Sequence, residues 1–215
     1  MGEAILVYGK SGSGKSRSLL NFGEDEIFLV NTIGKRLPFA KKFKYELKSD
    51  SIETIKAKLK AMPCKTAVID DAGYLMTNTF MRSHGKGDQF ALYNQIGDTM
   101  WGLLRCIKLE LPDDVLVYIM MHEEADDFGN TKLRTIGKLL DQKVCLEGMV
   151  TICLHCVAKG KDHVFVTNSN GLGIEKSPEG MLEYEEQNDL KAIDNKIRKF
   201  WNITQEEMKN EQSSQ

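Results

Sequence analysis

Ala4-Ile5-Leu6-Val7-Tyr8-Gly9-Lys10-Ser11-Gly12-Ser13-Gly14-Lys15-Ser16 is the stretch on which the reading of the whole chain turns. Its apolar start predicts a buried strand. The octet from Gly9 to Ser16 satisfies G-x-x-x-x-G-K-[ST] and runs directly into a helical pattern at about 15–22. A strand, a glycine-rich turn and a helix in that order build a phosphate cradle. Gly9, Gly12 and Gly14 permit backbone angles that aim successive N–H groups inward, and a helix opening at about Lys15 adds its positive end. Lys15 then reaches the β- and γ-phosphates and the Ser16 hydroxyl ligates Mg²⁺, while Lys10, Ser11, Ser13 and Arg17 complete the nucleotide contacts. The expected cofactors are ATP and Mg²⁺.

Working outward, Thr66-Ala67-Val68-Ile69-Asp70-Asp71 is a second apolar strand ending in two carboxylates. Such a strand can lie beside the octet strand and bring Asp70 to the Mg²⁺ shell. Asp71 is then the nearest group for orienting or deprotonating an attacking water, although Asp-Asp-Ala-Gly also reads as an ordinary strand-ending turn. A third strand, 115–121, leads into His122-Glu123-Glu124. It offers His122 as a sensor of the terminal phosphate, against the plainer reading of a strand end and a solvated acidic turn. A zinc protease is excluded, because the second histidine of H-E-x-x-H is missing. Cys153-Leu154-His155-Cys156 invites a metal, but side chains alternate along a strand, so Cys156 points away from Cys153 and His155; buried apolar thiols are the expectation.

The remaining pattern organises these pieces. Strands are expected at about 4–8, 26–31, 66–70, 115–121, 149–157 and 162–167, and helices at about 15–22, 51–61, 89–108 and 131–141. That alternation predicts an α/β fold with a mainly parallel central sheet flanked by helices in three layers. Segments 32–44, 77–88 and 122–131 read as loops, the first carrying Lys35, Arg36, Lys41, Lys42 and Lys44, the second Arg82, His84 and Lys86, and the third an acidic cluster. From about 187 an amphipathic pattern carries Leu190, Ile193, Ile197, Phe200 and Trp201 on one face, and a polar tail follows. The expected division is a domain over 1–186 and a C-terminal segment over 187–215. Of 215 residues, 41% are hydrophobic and 28% charged, an ordinary balance for a soluble domain. No run is long enough to span a membrane and no leader is visible, so the cytoplasm is the expected compartment. The five cysteines lack a CxxC pair, which suits reduced thiols. A net charge of −2 means that any nucleic-acid contact must come from a local basic patch.

In this order the octet, Val68-Ile69-Asp70-Asp71 and Tyr118-Ile119-Met120-Met121-His122 resemble the RecA-type P-loop ATPase core, and specifically small RecA-like ATP-binding proteins of phage recombination gene clusters. The similarity spans about 3–185 and includes Gly137-Lys138-Leu139-Leu140, similar to the Gly-x-x-Leu region after the second DNA-binding loop. The resemblance implies a three-layer RecA-like fold with ATP-dependent binding or annealing of single-stranded DNA. It also implies a homo-oligomer with ATP at subunit interfaces, working in a host cytoplasm if phage-encoded. It places the DNA-binding loops at about 77–88 and 123–134, where Arg82, His84, Lys86, Lys132 and Arg134 are the candidate phosphate contacts. Two departures stand out. RecA proteins end the second strand with a catalytic Glu, where this chain has Asn31; Asp71 or Glu123 are the substitutes. The paired lysines of a late strand are absent from Phe165-Val166-Thr167-Asn168-Ser169, leaving Lys176 or Arg134 to supply that cation.

Two further readings stand beside a DNA-dependent ATPase. One is a nucleotide-gated adaptor that scarcely hydrolyses ATP and recruits a single-strand-binding or other replication protein, motivated by Asn31 and by segment 187–201. The other is a nucleotide or metabolite kinase, disfavoured because 122–136 lacks an arginine-rich lid.

Overall fold

The computed structural model describes residues 1–136 and 144–203. In chain order the elements are β1 (Glu3–Gly9), a single 3-10 turn (Ser16–Leu19), β2 (Ile27–Asn31), β3 (Tyr45–Leu47), α1 (Ile52–Lys60), β4 (Thr66–Asp70), α2 (Gly73–Ser83) and α3 (Gln89–Glu110). Then follow β5 (Leu116–Ala125), β6 (Thr131–Leu133), β7 (Ile152–Lys159), β8 (Asp162–Val166), β9 (Glu185–Gln187) and α4 (Leu190–Phe200). Among the described residues nine strands form one mixed, mostly parallel sheet in the order β3-β2-β4-β5-β1-β7-β8-β9, with β6 paired to β5. Of the described strands, β6, β8 and β9 pair antiparallel, with β5, β7 and β8 respectively.

The central strands are apolar nearly throughout because both faces are covered, as parallel sheets require. Ile55 and Leu59 of α1, Leu75 and Met76 of α2, and the Ile96, Met100, Leu103 and Ile107 stripe of α3 cover one face, against Leu6, Ile69, Val117 and Ile119. The other face is closed by Leu19 and Phe22 and by Leu190, Ile193 and Ile197 of α4, packed on Ile5, Val7, Val68 and Leu154. Helices α3 and α4 start where short polar side chains cap them: Asp88 accepts from Phe90 N at 2.8 Å and Asp189 from Ala192 N at 3.1 Å.

Several expectations change. The strand bearing Asp70 does not lie beside the octet strand, since β5 stands between β4 and β1 and pairs with both in parallel. The helix expected over 15–22 is one 3-10 turn, because Ser16, Ser18 and Asn21 are weak helix formers and Gly23 follows. Residues 77–83 are helical, closing α2; only 84–88 form a turn. Segment 122–131 is largely the arms of a hairpin, β5 extending to Ala125 and β6 returning from Thr131. The helix expected over 131–141 begins as β6, and its end, with Gly137-Lys138-Leu139-Leu140, lies outside the described residues, as does the tail from 204.

The amphipathic C-terminal segment packs on its own sheet. It also buries charge there: Asp194 and Arg198, 3% and 5% exposed, pair at 2.7 Å one helical turn apart. Asp194 further accepts from Thr66 Oγ1 and Tyr118 OH, each at 3.1 Å, and Arg198 donates to the carbonyls of Asp114 and Lys65. No helix among the described residues is long and apolar enough to cross a membrane.

Candidate functional site

Parallel register delivers the chemistry to one edge. Gly9 lies opposite His122, Tyr8 opposite His155, and Asn31 opposite Asp70, so the C-terminal ends of β1, β5, β7, β2 and β4 meet there, the usual place for a ligand in an open α/β sheet. The loop 10–15 leaves β1 at this edge. A cleft beside it is lined by Ser11, Gly12, Lys15, Ser16, Lys35 and Arg36, closed by Asp71, His122 and His163.

Two glycines of the loop are dictated by their surroundings. A Cβ at Gly9 would stand 2.3 Å from the Cys156 carbonyl oxygen, a backbone atom that cannot yield. Gly14 has φ +103° and lies under the His163 ring, which a Cβ would approach to 2.8 Å. The ring is fixed by a contact from Nδ1 to the Ser13 carbonyl at 2.8 Å, and the Cys156 thiol donates to the same carbonyl at 3.1 Å. Cys153 and Cys156 are both buried, burial pushes the Cys156 thiol up to about 11, and all five cysteines are free thiols.

Lys15 is 6% exposed, and its ammonium donates to the carbonyls of Gly9 at 2.7 Å and Lys10 at 2.9 Å. Burial pulls its pKa below the ordinary lysine value, with Asp71 and Asp70 opposing. Such a charge is under-compensated by the protein and suited to an anion. With only a short 3-10 turn behind the loop, the positive potential there comes from Lys15 and not from a long helix dipole.

The Ser16 hydroxyl donates to the Asp70 carboxylate at 2.9 and 3.1 Å. Asp70 is 2% exposed, and burial, reinforced by the Asp71 charge, pushes its pKa up. A buried carboxylate short of positive charge, in contact with a hydroxyl, is an oxygen-only donor pair that suits a hard cation. Among the described residues no group of three or more His, Cys, Asp and Glu could hold a metal by itself. Mg²⁺ fits that limitation, since it keeps waters and takes its other oxygens from phosphates.

Asp71 follows β4 with φ +56°, a conformation Asp tolerates better than most residues. Its carboxylate is ion-paired with Lys35 and stands 3.4 Å from His122 Nε2. Burial favours its neutral form, but His122 and Lys35 outweigh that and hold the pKa down to about 2. The sign follows directly. A carboxylate with a lowered folded-state pKa stabilises the fold above its unfolded value near 3.9, and that contribution fades as pH falls toward 2. Asp71→Asn tolerates the same backbone angle and is expected to cost about 2 kcal/mol at neutral pH. The loss relative to the parent should shrink between about pH 4 and pH 2, as urea denaturation at several pH values would measure; a pH-independent difference would contradict the charge argument.

Glu123 is not brought to this cleft. It sits on the alternate face of β5, 2.6 Å from His155 Nε2, and His155 stacks on Tyr8 with centroids 4.3 Å apart. Tyr8 in turn donates to Glu175 and lies 3.4 Å from Thr131 Oγ1. The basic residues singled out for nucleic acid are spread out. Arg82 pairs with Asp50 in a groove beside α1, and Lys132 pairs with Glu124 at 2.9 Å. Lys86 is exposed on the turn after α2, and Arg134 lines a separate groove with Tyr74, Thr77 and His122. Lys176 bridges Cys153 through its backbone.

Three cleft residues were not singled out from the sequence. Lys35 and Arg36 were visible only as part of a basic loop after β2, and His163 gave no signal, being a lone histidine on a short strand. No protein-family model matches the chain, and no curated protein does.

Proposed function

We propose that the chain is a RecA-like P-loop protein that binds ATP with Mg²⁺ and uses the nucleotide to control binding or annealing of single-stranded DNA in recombination or repair. The observation that carries it is the convergence at one sheet edge of Lys15, the Ser16–Asp70 pair and the His122–Asp71 pair, groups far apart in sequence. Bound Mg²⁺, held by Ser16 and Asp70, would neutralise charge developing on the phosphates. Lys15 and the loop N–H groups bind and orient the polyphosphate for in-line attack. Asp71 is too acidic to be a strong base, so its role is to position the attacking water, with His122 beside it to register the terminal phosphate.

The placement of β5 between β1 and β4 supports His122 as the sensor, because it sets that residue directly across from Gly9. Arg134, in the groove that shares His122, supports a link from the nucleotide to a second ligand. Assembly of several copies, with ATP near subunit boundaries, follows from the same reading. ATP turnover with and without single-stranded DNA tests it. Several-fold stimulation by DNA, and DNA retention that depends on ATP, are expected; absence of both would overturn the DNA assignment.

A second reading is favoured by one observation. Asn31 occupies the position of the expected catalytic carboxylate, and Asp71 is engaged by Lys35 and His122, which suits a slow or gated nucleotide switch that recruits a replication protein. A long-lived ATP complex with negligible turnover in the presence of DNA would select it.

A further inference from the structure

Asn31 ends β2 with its side chain turned to a structural task. The amide donates to the Lys35 carbonyl at 2.8 Å and to the Glu46 carboxylate of neighbouring β3 at 3.1 Å. The next residue, Thr32, is 6% exposed, and its hydroxyl reaches the carbonyls of Asp70 and Asp71 at 2.8 and 3.0 Å. Between these anchors Gly34 takes φ +67°, which turns the chain back on itself. The turn is therefore closed on itself and tied to β3 by Asn31, and tied by Thr32 to the end of β4 that carries the acidic pair. Lys35 is thereby delivered to the Asp71 carboxylate inside the cleft shared with Lys15, Ser16 and His122, and Arg36 lines the same wall.

A lysine ammonium has three N–H groups. Two contacts of Lys15 are taken by loop carbonyls, whereas Lys35 has its ion pair with Asp71 and a side chain still 41% exposed to the cleft. Lys35 can therefore turn toward an anion without leaving Asp71. Its position is also distinct. Lys15 belongs to the loop itself, whereas Lys35 stands beside Asp71 and His122, where the far end of a polyphosphate laid along the loop would arrive.

Resting on the nucleotide reading above, we infer that Lys35 is a ligand of the terminal phosphate supplied by the same chain, so that the cleft discriminates a nucleoside triphosphate from a diphosphate through this residue. The turn after β2 then supplies this cation, and the Asn31 side chain holds that turn. A diphosphate leaves Lys35 with Asp71 alone. The proposal thereby separates Lys35 from Lys15, which both nucleotides require.

The test is calorimetric titration of MgATP and of MgADP into the full chain, as wild type, Lys35→Ala and Lys35→Arg. Lys35→Ala is expected to weaken ATP about tenfold or more while changing ADP less than about twofold, the loss of one charge-assisted contact. Lys35→Arg is expected to keep most of the preference for ATP. Retained ADP binding shows that the variant is folded. Equal weakening of both nucleotides, as a lysine that only holds Asp71 in place would cause, overturns the inference, and so does no change in either. If the wild type binds neither nucleotide, the nucleotide reading itself falls and this inference with it; a wild type that binds both and a Lys35→Ala variant whose ATP-to-ADP preference is unchanged remove the inference alone.

Discussion

Lys15→Ala is expected to lower ATP affinity about 100-fold or more while leaving the fold intact. The side chain is buried at the base of the loop, and its charge is compensated there only by two carbonyls and the more distant Asp70 and Asp71. A charge-assisted contact to phosphate in such a setting is worth roughly 3 kcal/mol, a factor of about 100 in affinity. The fold should survive because the core that positions the loop, Ile5, Val7 and Leu19, does not include this side chain. The carbonyls of Gly9 and Lys10 lose a donor but lie on the loop. Lys15→Arg is not a conservative rescue, since a planar fork cannot take the place of a compact ammonium between those carbonyls. Competition binding against a fluorescent ATP analogue, with a thermal melt of each variant, reads both halves of the prediction. Unchanged affinity would remove the loop from the site.

The second large effect concerns stability. Asp194→Ala is expected to cost about 3–5 kcal/mol, because it leaves Arg198 charged and buried with no anionic partner in contact, only two carbonyls and the Thr66 hydroxyl. It also strips Thr66 and Tyr118 of the carboxylate they share. In a chain of this size that corresponds to roughly 10 °C or more in melting temperature. Asp194→Leu combined with Arg198→Met should regain part of the loss, since removing both charges restores packing while the two hydroxyls remain unpaired. A double variant no better than Asp194→Ala would mean that the pair holds α4 in place by more than charge compensation.

This buried pair shows what a linear reading can miss. Leu190, Ile193 and Ile197 announced an amphipathic helix, and the structure buries that face. Asp194 and Arg198, however, look like solvated helix charges until β4 and β5 arrive with Thr66 and Tyr118, residues 128 and 76 positions away. The octet was readable because strand, glycines, lysine and serine are contiguous and their backbone chemistry is local. Asp70 was readable for a similar reason, as a carboxylate closing an apolar strand.

The sheet order was a different matter. Each central strand is simply apolar, so nothing in Leu116 to Met121 says that it must slide between β1 and β4. Glu123 looked equivalent to His122 by proximity, but a strand alternates its side chains, and one step along β5 turned Glu123 to His155 on the far face. Residues 77–83 read as a loop because Gly85 and Gly87 follow closely; packing of Leu75 and Met76 under the sheet nevertheless extends α2 through Ser83. Lys35 was seen as one of several basic loop residues, and only the anchoring of its turn by Asn31 and Thr32 separates it from the rest.

A magnesium nucleoside triphosphate is the ligand proposed for the cleft between the glycine-rich loop and the Asp70–Asp71 pair. Calorimetric titration of ATP into the full chain, with excess Mg²⁺ and again with EDTA, tests it most directly. One saturable site per chain is expected with Mg²⁺, and binding about tenfold or more weaker without it. No saturable binding in either condition, or binding indifferent to Mg²⁺, would contradict it.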